Sequence, residues 1–314
     1  MNKKYTIVIL LFLLMIPSLM NAQRWKRQRY EFSFGFGASN FLGELGGANQ
    51  IGTHYFKDFE WSMTRFAAAV GLRYKLSNYF AFNTHLTYGR VAGDDNSTSE
   101  FFRHYRNLSF YSDIYEFNVN FEGAFQQEQI GSQYRLRKHK GINGYEIYSY
   151  GFVGAGVFYF DPKAVYNGKT YRLQPLGTEG QGWDPNKSRY ALVQFCIPLG
   201  VGFKYTLGNS WGVGLEMGIR KTFTDYIDDV STKYYDFSSS GADPNSHKLA
   251  DRSLYEEYAS GSLPLPDGKT LADLKSITAP DAQRGNSKEK DSYMFAIFSV
   301  NYKIRNTRSH LPRF

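Results

Sequence analysis

The sequence predicts an all-β fold, an eight-stranded antiparallel transmembrane β-barrel with long extracellular loops. Eight segments alternate apolar and polar residues, and most of the links between them alternate between short and long. Successive side chains of a strand point to opposite faces, so each segment has one apolar wall and one polar wall. Single-chain barrels of the bacterial outer membrane combine an even strand number with short periplasmic turns and longer outer loops.

The last of these strands, residues 293–304, alternates without a break and is followed at the end of the sequence by the aromatic Phe314. Its polar wall is Ser299, Asn301 and Lys303, and its apolar wall consists of Met294, Ala296, Phe298, Val300, Tyr302 and Ile304. We expect this amphipathic strand to close the barrel.

The first residues are typical of an export signal. Lys3 and Lys4 precede an apolar run at residues 5–16, and Ala22 supplies a small residue for cleavage. A helix needs about 20 apolar residues to span a bilayer, so neither this run nor any other qualifies. We therefore expect a signal peptide at residues 1–22, a barrel domain at 23–314 in the cell outer membrane, and no helical membrane protein.

Composition and charge exclude several classes of function. The net charge of +8 falls to +6 without Lys3 and Lys4 and is spread along the chain, so no nucleic acid partner is expected. The single cysteine, Cys196, has no partner for an internal disulfide and stands in no nucleophile motif. We expect it to be a small residue of the barrel wall, and we expect no cofactor.

The first three strands are predicted at residues 30–41, 65–76 and 79–90. In the first, Glu31 and Ser33 face away from an apolar wall of Tyr30, Phe32, Phe34 and Phe36. Ser77 and Asn78 are all that separates the second strand from the third, which favours an antiparallel hairpin.

Four further strands are predicted at residues 113–125, 148–160, 193–205 and 211–223. Either face of the glycine-rich segment 148–160 fits the outside of the barrel. Pro198 lies on the polar face of its strand, and because proline lacks an N–H we expect a bulge or a locally unpaired position there.

One link departs from the alternation of short and long. The link after the fourth strand should be periplasmic, yet it runs over residues 126–147 and carries the basic residues Arg135, Arg137, Lys138, His139 and Lys140. The longest outer loop includes residues 232–291, in which segments 249–259 and 271–277 suggest short helices.

The barrel lumen should be closed. With eight strands it is only just wide enough for side chains to fill it. Charges in a narrow lumen need partners, so we expect a packed polar plug made by Glu31, Glu116, Glu122, Glu216, Arg65, Arg73, Lys75, Lys204 and Arg220. A conducting pore is not expected. The alternative fold, a soluble β-sandwich, would rarely place so many Phe and Tyr on its walls.

Three motifs stand in the predicted outer loops. The first holds Gly43, Glu44, Gly46 and Gly47, which indicate tight turns, not a phosphate cradle, because no helix start follows. The second motif predicts close packing against another backbone, and its residues are Thr178, Glu179, Gly180, Gln181 and Gly182. The third motif consists of the carboxylates Asp225, Asp228 and Asp229. They either bind a hard cation such as calcium through oxygen ligands, or cap turns and pair with basic side chains.

No catalytic residues are predicted. Nucleophilic catalysis needs a Ser or Cys beside a His that an acid orients, and no local motif supplies this set. His104 with Asp94 and Asp95 is only a formal candidate for an active site at the outer rim.

Together with residues 93–95 and 106–110, the three loop motifs resemble the PorG-type outer-membrane proteins of Bacteroidota. The resemblance spans nearly all of the expected mature chain. It implies a non-enzymatic component of the type IX protein secretion system, which serves protein transport and gliding motility. Members of that family associate with a periplasmic ring of PorK and PorN, and the resemblance carries over no catalytic residues.

We therefore expect an anchor whose partners are outer-membrane lipid and PorK-like and PorN-like ring proteins, with no small-molecule substrate. The basic residues 135–140 are the candidate docking surface. Two alternatives stay open. One is a protease-like or lipase-like enzyme that acts through the outer loops, and the other is a surface adhesin that presents residues 232–291.

Overall fold

A computed structural model of the chain describes residues 28–45, 61–98, 100–126, 147–207, 210–238, 241–266 and 268–304. The expected signal peptide, Gly46, Gly47, the basic residues 135–140 and Phe314 lie outside the described residues.

Among the described residues, ten strands form one antiparallel sheet, and eight of them close into a barrel. The strands are β1 (Tyr30–Leu42), β2 (Arg65–Lys75), β3 (Phe80–Asp94), β4 (Ser109–Gln126), β5 (Ile147–Tyr159), β6 (Pro162–Tyr166), β7 (Lys169–Arg172), β8 (Val193–Leu207), β9 (Trp211–Thr222) and β10 (Ser292–Ile304). The order is β3-β2-β1-β10-β9-β8-β5-β4, and a pairing of β3 with β4 closes the circle. The predicted fold class is confirmed, and the hairpin β6–β7 is an addition that the sequence did not predict.

Short helices lie in the loops at one end of the barrel. They are α1 (Phe101–Arg106), α2 (Leu173–Leu176), α3 (Pro244–Ala250), α4 (Tyr255–Ala259) and α5 (Leu271–Ile277), with 3₁₀ turns at Trp61–Met63 and Asp95–Ser97. The segment 271–277 is helical as predicted, whereas 249–259 is divided between α3 and α4. Among the described residues, no helix is long and apolar enough to cross a membrane.

The apolar walls of the strands face outward. Side chains such as Phe34 (57% exposed), Leu86 (58%) and Phe195 (68%) form a belt around the barrel. An exposed apolar surface this extensive marks contact with another apolar phase. Together with a polar interior, it makes the fold a transmembrane β-barrel of the outer-membrane type.

Ion pairs fill the lumen, as the sequence predicts. Nε of Arg73 lies 2.5 Å from Glu122, and Nη1 lies 3.5 Å from Glu31. Lys204 reaches Glu31 at 2.9 Å, and a second pair joins Arg220 to Glu116 at 3.3 Å. Arg65 differs from the prediction, because it lies at the rim and donates to the carbonyls of Ser62 and Thr64.

Strand β5 turns its aromatic face inward, which settles a choice that the sequence left open. Tyr148, Tyr150 and Phe152 are buried, and the guanidinium of Arg73 lies 4.4 Å from the centre of the Tyr148 ring. The neighbouring strand makes room with glycine, since a Cβ on Gly202 would collide with the Tyr150 ring. Aromatic rings and ion pairs together pack the lumen.

The expected local disruption at Pro198 is confirmed. The ladder between β5 and β8 pairs Val153 with Leu199 and resumes with Gly156 and Cys196, so Pro198 has no partner on that side. On the other side, Pro198 keeps its place in the register opposite Arg220.

The buried ion pairs of the lumen predict how much stability the protein loses when one of them is broken. Replacing Arg73 with methionine leaves Glu122 and Glu31 buried without their shared cation, and we expect the free energy of unfolding to fall by about 3–5 kcal/mol. Urea unfolding in lipid vesicles measures this change. The control is Arg90→Met, which breaks an ion pair in which the arginine side chain is 45% exposed and should cost at most about 1 kcal/mol. Equal losses in the two variants would contradict the account.

Candidate functional site

The loops at one end of the barrel pack together into a structure that we call the cap, which comprises the described residues within 43–45, 61–64, 95–108, 160–192 and 223–291. All the described members of the three loop motifs lie in it. Its apolar core contains Tyr105, Phe160, Ile227, Val230, Leu249 and Leu274, all nearly or fully buried. The long loop 232–291 is therefore part of a packed structure.

At the centre of the cap is the carboxylate of Glu179, which is fully buried. It accepts hydrogen bonds from the backbone N–H of Ser231 (2.9 Å), the N–H of Thr232 (3.0 Å) and the Thr232 hydroxyl (2.7 Å). The guanidinium of Arg284 supplies a charged donor at 3.0 Å. A carboxylate buried this deeply is tolerable because several donors and a cation satisfy it.

Arg284 extends this network in two directions. It is 4% exposed and also donates to the backbone carbonyls of Asp229 (2.6 Å) and Ala250 (3.3 Å). Its own carbonyl accepts a hydrogen bond from Arg106 at 2.7 Å, and Arg106 in turn holds Asp95. Sequence reasoning missed Arg284, whose surroundings in the sequence carry no motif.

The adjacent residues Asp228 and Asp229 point to different neighbours. The Asp229 carboxylate accepts hydrogen bonds from the hydroxyls of Thr178 and Tyr190. The Asp228 carboxylate accepts from the N–H of Val230 at 2.9 Å. The divergence follows from the backbone, because Asp229 has a left-handed φ of +65°.

Four carboxylates gather on the other side of the cap, and we call them the acidic cluster: Glu44, Asp225, Asp228 and Asp291. Burial raises the pKa of Asp225 to about 7, and the nearby carboxylates of Glu44 and Glu179 add to this. Burial, Asp291 and Glu44 raise the pKa of Asp228 well above its usual range. Burial and Asp225 do the same to the pKa of Asp291. The cluster therefore holds protons at a pH where ordinary carboxyl groups are ionised.

The predicted cation ligands do not converge on one point. Asp225 and Asp228 belong to the acidic cluster, whereas Asp229 belongs to the Glu179 network. Within the described ranges, no three His, Cys, Asp or Glu side chains lie close enough together to hold a metal ion. The alternative in the sequence prediction fits better, because Asp228 caps a turn and Asp229 lies beside Arg284.

The glycines of the second motif allow the close packing that the sequence predicts, but their contacts are with side chains and not with another backbone. Gly180 has a φ of +88°, and a Cβ there would stand 2.5 Å from the ring of Tyr235. A Cβ on Gly182, whose φ is +81°, would lie 3.0 Å from Arg189. Gln181 completes the turn by accepting the N–H of Glu179 at 2.9 Å.

The formal catalytic candidate is not assembled. Asp95 accepts two hydrogen bonds from Arg106, at 2.7 and 3.0 Å, and a third from the N–H of Leu108. Asp94 accepts the N–H of Asn96. Neither carboxylate is bonded to His104 within the described part of the chain.

Removing Arg284 should open the cap and leave the barrel intact. Arg284→Met leaves Glu179 buried without a cation. We expect this to lower the free energy of unfolding of the cap by about 3–5 kcal/mol and to leave that of the barrel unchanged. We expect limited proteolysis to cut residues 223–291 at least tenfold faster, while the barrel still shows the gel shift of a folded β-barrel. The control Arg189→Met removes one exposed hydrogen bond, to the Pro175 carbonyl, and should leave cleavage unchanged. A cap that stays resistant without Arg284 would refute its central role.

The raised pKa values predict that the cap weakens as pH rises. Unfolded carboxyl groups titrate near pH 4, whereas Asp225 titrates in the folded cap at a pKa of about 7. Between these values the folded state binds the extra protons, so stability is highest below about pH 4 and declines toward pH 7. We expect hydrogen-exchange protection around residues 225–231 to fall at least about tenfold from pH 5 to pH 8.

Two variants test whether the acidic cluster causes this slope. Asp225→Asn should flatten it, because the amide carries no charge at either pH. Asp273→Asn changes an exposed carboxylate that caps α5 and should leave the slope as it is. Protection that does not depend on pH in the wild-type protein would contradict the assignment.

Several solved outer-membrane proteins are similar to this chain. Ail of Yersinia pestis is 10% identical, with 88% of this chain and 98% of Ail covered and a TM-score of 0.36. The N-terminal β-barrel domain of Pseudomonas aeruginosa OprF is 8% identical, with 88% and 97% covered and a TM-score of 0.31. A major outer membrane protein from Thermus thermophilus is 12% identical, with 87% and 98% covered and a TM-score of 0.34.

No curated protein matches the sequence significantly. Residues 5–241 match the family described as a domain of unknown function, DUF6089, and this match includes all three loop motifs. Since it covers more than half of the sequence, the chain belongs to the DUF6089 family.

Proposed function

We propose that this protein is a non-enzymatic anchor of the type IX secretion machinery, which docks the periplasmic ring complex at the outer membrane. The observation that carries the proposal is the filled lumen. An outer-membrane barrel whose interior is packed with ion pairs and aromatic rings offers its surfaces to partners and has no wide path for solutes.

The packing of the lumen supports this use. A lumen pocket lined by residues such as Ser33, His85, Tyr150 and Glu216 has a volume of only about 20 Å³. A single water needs about 10–15 Å³ measured in this way, so the pocket suits one water molecule. The cap then covers the outer end, where its loops are joined by buried hydrogen bonds.

The direction of docking follows from the two ends of the barrel. The cap occupies the end with the long loops, which is the extracellular end in barrels of this kind. The short turn between β2 and β3 lies at the opposite, periplasmic end, where β4 ends at Gln126 and β5 begins at Ile147. The basic residues 135–140 belong to the sequence between these two strands. A basic surface there would attract an acidic partner and speed association more than it deepens affinity. The sequence resemblance supplies the identity of the proposed partner, a PorK-like and PorN-like ring.

The enzyme alternative has less support in the cap. Two of the cap carboxylates, Glu179 and Asp228, are buried and already accept hydrogen bonds from backbone N–H groups. The acid–His candidate at the outer rim is not formed.

Charge reversal on the two ends tests the docking surface. In protein purified gently from native outer membranes, we expect the ring proteins to accompany the wild type. Arg135, Arg137 and Lys138 replaced together by Glu should reduce their recovery at least fivefold, because the attractive charge is inverted.

The matched control makes the same change of charge in the cap, at the exposed residues Lys233, Lys275 and Lys288. This variant should recover the ring as the wild type does. Absence of the ring from the wild-type preparation would refute the anchor, whereas equal recovery from all three proteins would refute only the docking surface.

A further inference from the structure

An open pocket of about 380 Å³ lies in the cap, between residues 234–238 and helix α3. Its aromatic lining includes Tyr235 and Phe237, whose ring centres lie 5.0 Å apart at an angle of 81°. The Phe237 ring also packs against His247, with centres 5.9 Å apart. The volume is within the range of about 300–1,000 Å³ that small-molecule pockets occupy.

The walls of this pocket are fixed by the same network that holds the cap. Tyr234 exchanges backbone hydrogen bonds of 3.0 Å with Ala282 and Asp281. Tyr235 rests on Gly180, next to the buried Glu179. The pocket is therefore already formed without a ligand.

Helix α3, which forms the opposite wall, is fixed as well. The hydroxyl of Ser246 donates to the Leu176 carbonyl at 2.7 Å, and the carbonyl of Ala250 accepts from Arg284. Leu249 is 2% exposed and packs in the apolar core of the cap. A rigid wall on each side lowers the entropy that binding costs.

The pocket carries negative charge in a chain whose net charge is +8. Three aspartates line it against one lysine, and they are Asp236, Asp243 and Asp251. Each uses Oδ1 to accept a backbone N–H of its own turn, at 2.9 Å from Ser238, 2.8 Å from Asn245 and 2.9 Å from Ser253. These bonds orient the three carboxylates, and none of the three forms an ion pair with the lysines and arginines of the described chain.

We propose that this pocket binds a guanidinium group. A planar cation stacks on an aromatic face within about 6 Å and at the same time donates paired hydrogen bonds to a carboxylate. The combination of aromatic rings with an excess of carboxylates matches both requirements. A neutral sugar would stack on the rings but would form no ion pair with the carboxylates. The guanidinium is presented either by an arginine side chain of a peptide or by a free small guanidine.

The proposal is independent of the anchor function. The pocket lies in the cap, and the proposed ring docks at the opposite end of the barrel. Failure of one proposal therefore leaves the other untouched.

Calorimetric titration of the full-length protein in detergent tests the chemistry with three probes. Agmatine is a small free guanidine that also carries a primary ammonium group, and the acetylated amide of Gly-Arg-Gly presents the guanidinium on a peptide. N-carbamoylputrescine keeps the ammonium group of agmatine and replaces its guanidinium with a neutral urea. We expect agmatine and the peptide to bind with Kd values of about 1 mM or tighter, as ligands of this size can, and the urea at least about tenfold more weakly. Tighter binding of the peptide assigns an arginine side chain as the source, and tighter binding of agmatine assigns a free small guanidine.

Variants locate the binding. The double variant Asp236→Asn with Asp251→Asn keeps the oxygen that accepts each turn's N–H and removes the charge. We expect this variant to bind agmatine at least tenfold more weakly than the wild type. Asp273→Asn, on α5 outside the pocket, should leave binding unchanged. The proposal is overturned if the urea binds as well as agmatine, if the double variant binds like the wild type, or if neither cation binds at about 10 mM. Binding of maltose in place of the cations would likewise overturn it.

Discussion

The cap depends on the buried carboxylate of Glu179. Taking a carboxylate and a guanidinium out of water is costly, and an ion pair alone repays that cost only when further hydrogen bonds complete it. Here Ser231, Thr232 and Arg284 supply those bonds, and they come from two parts of the chain that are far from Glu179 in sequence. The network therefore fixes one arrangement of the loops. The wall of the pocket between residues 234–238 and α3 follows from that arrangement. So does the burial that raises the pKa values of the acidic cluster.

The barrel was predictable from sequence because its rules are local. Alternation along a strand assigns each side chain to lipid or lumen, and the spacing of turns then gives the strand count. Strand β5 was ambiguous because its aromatic Tyr150 faces inward, and this is possible only because Gly202 stands beside it in another strand. The cap was less predictable because its contacts also join residues that are far apart in sequence. Arg284 meets Glu179 across 105 residues of sequence, and nothing in its own segment marks it. The glycine motif around Gly180 did indicate close packing, but not its partner.

The structure shows that deletion of loop 232–291 does not distinguish an adhesin from an anchor. Deleting loop 232–291 would appear to remove only a surface feature, yet this loop contains Arg284, Tyr234 and Leu249, all of which are buried. Its deletion would expose the Glu179 carboxylate and the apolar core of the cap, so loss of function would follow from misfolding under either hypothesis. Substitutions on exposed residues separate the two roles more cleanly. The enzyme hypothesis needs a free acid or base in the cap. Glu179, Asp228 and Asp229 are engaged in turns and ion pairs. The buried carboxylate of Asp225 has no hydrogen-bond partner among the described residues, so a test of that hypothesis would begin there.

The proposed anchor function requires a sealed barrel that acts through its surfaces. The ion pairs of Arg73 and Arg220 and the inward rings of β5 all lie across the path that a solute would take. The most direct test is the conductance of the purified protein in planar lipid bilayers at neutral pH. A sealed barrel predicts no stable current steps once insertion has been verified by its folded gel mobility. Reproducible open channels of the wild-type protein would contradict the account, because a lumen packed in this way has no continuous water path.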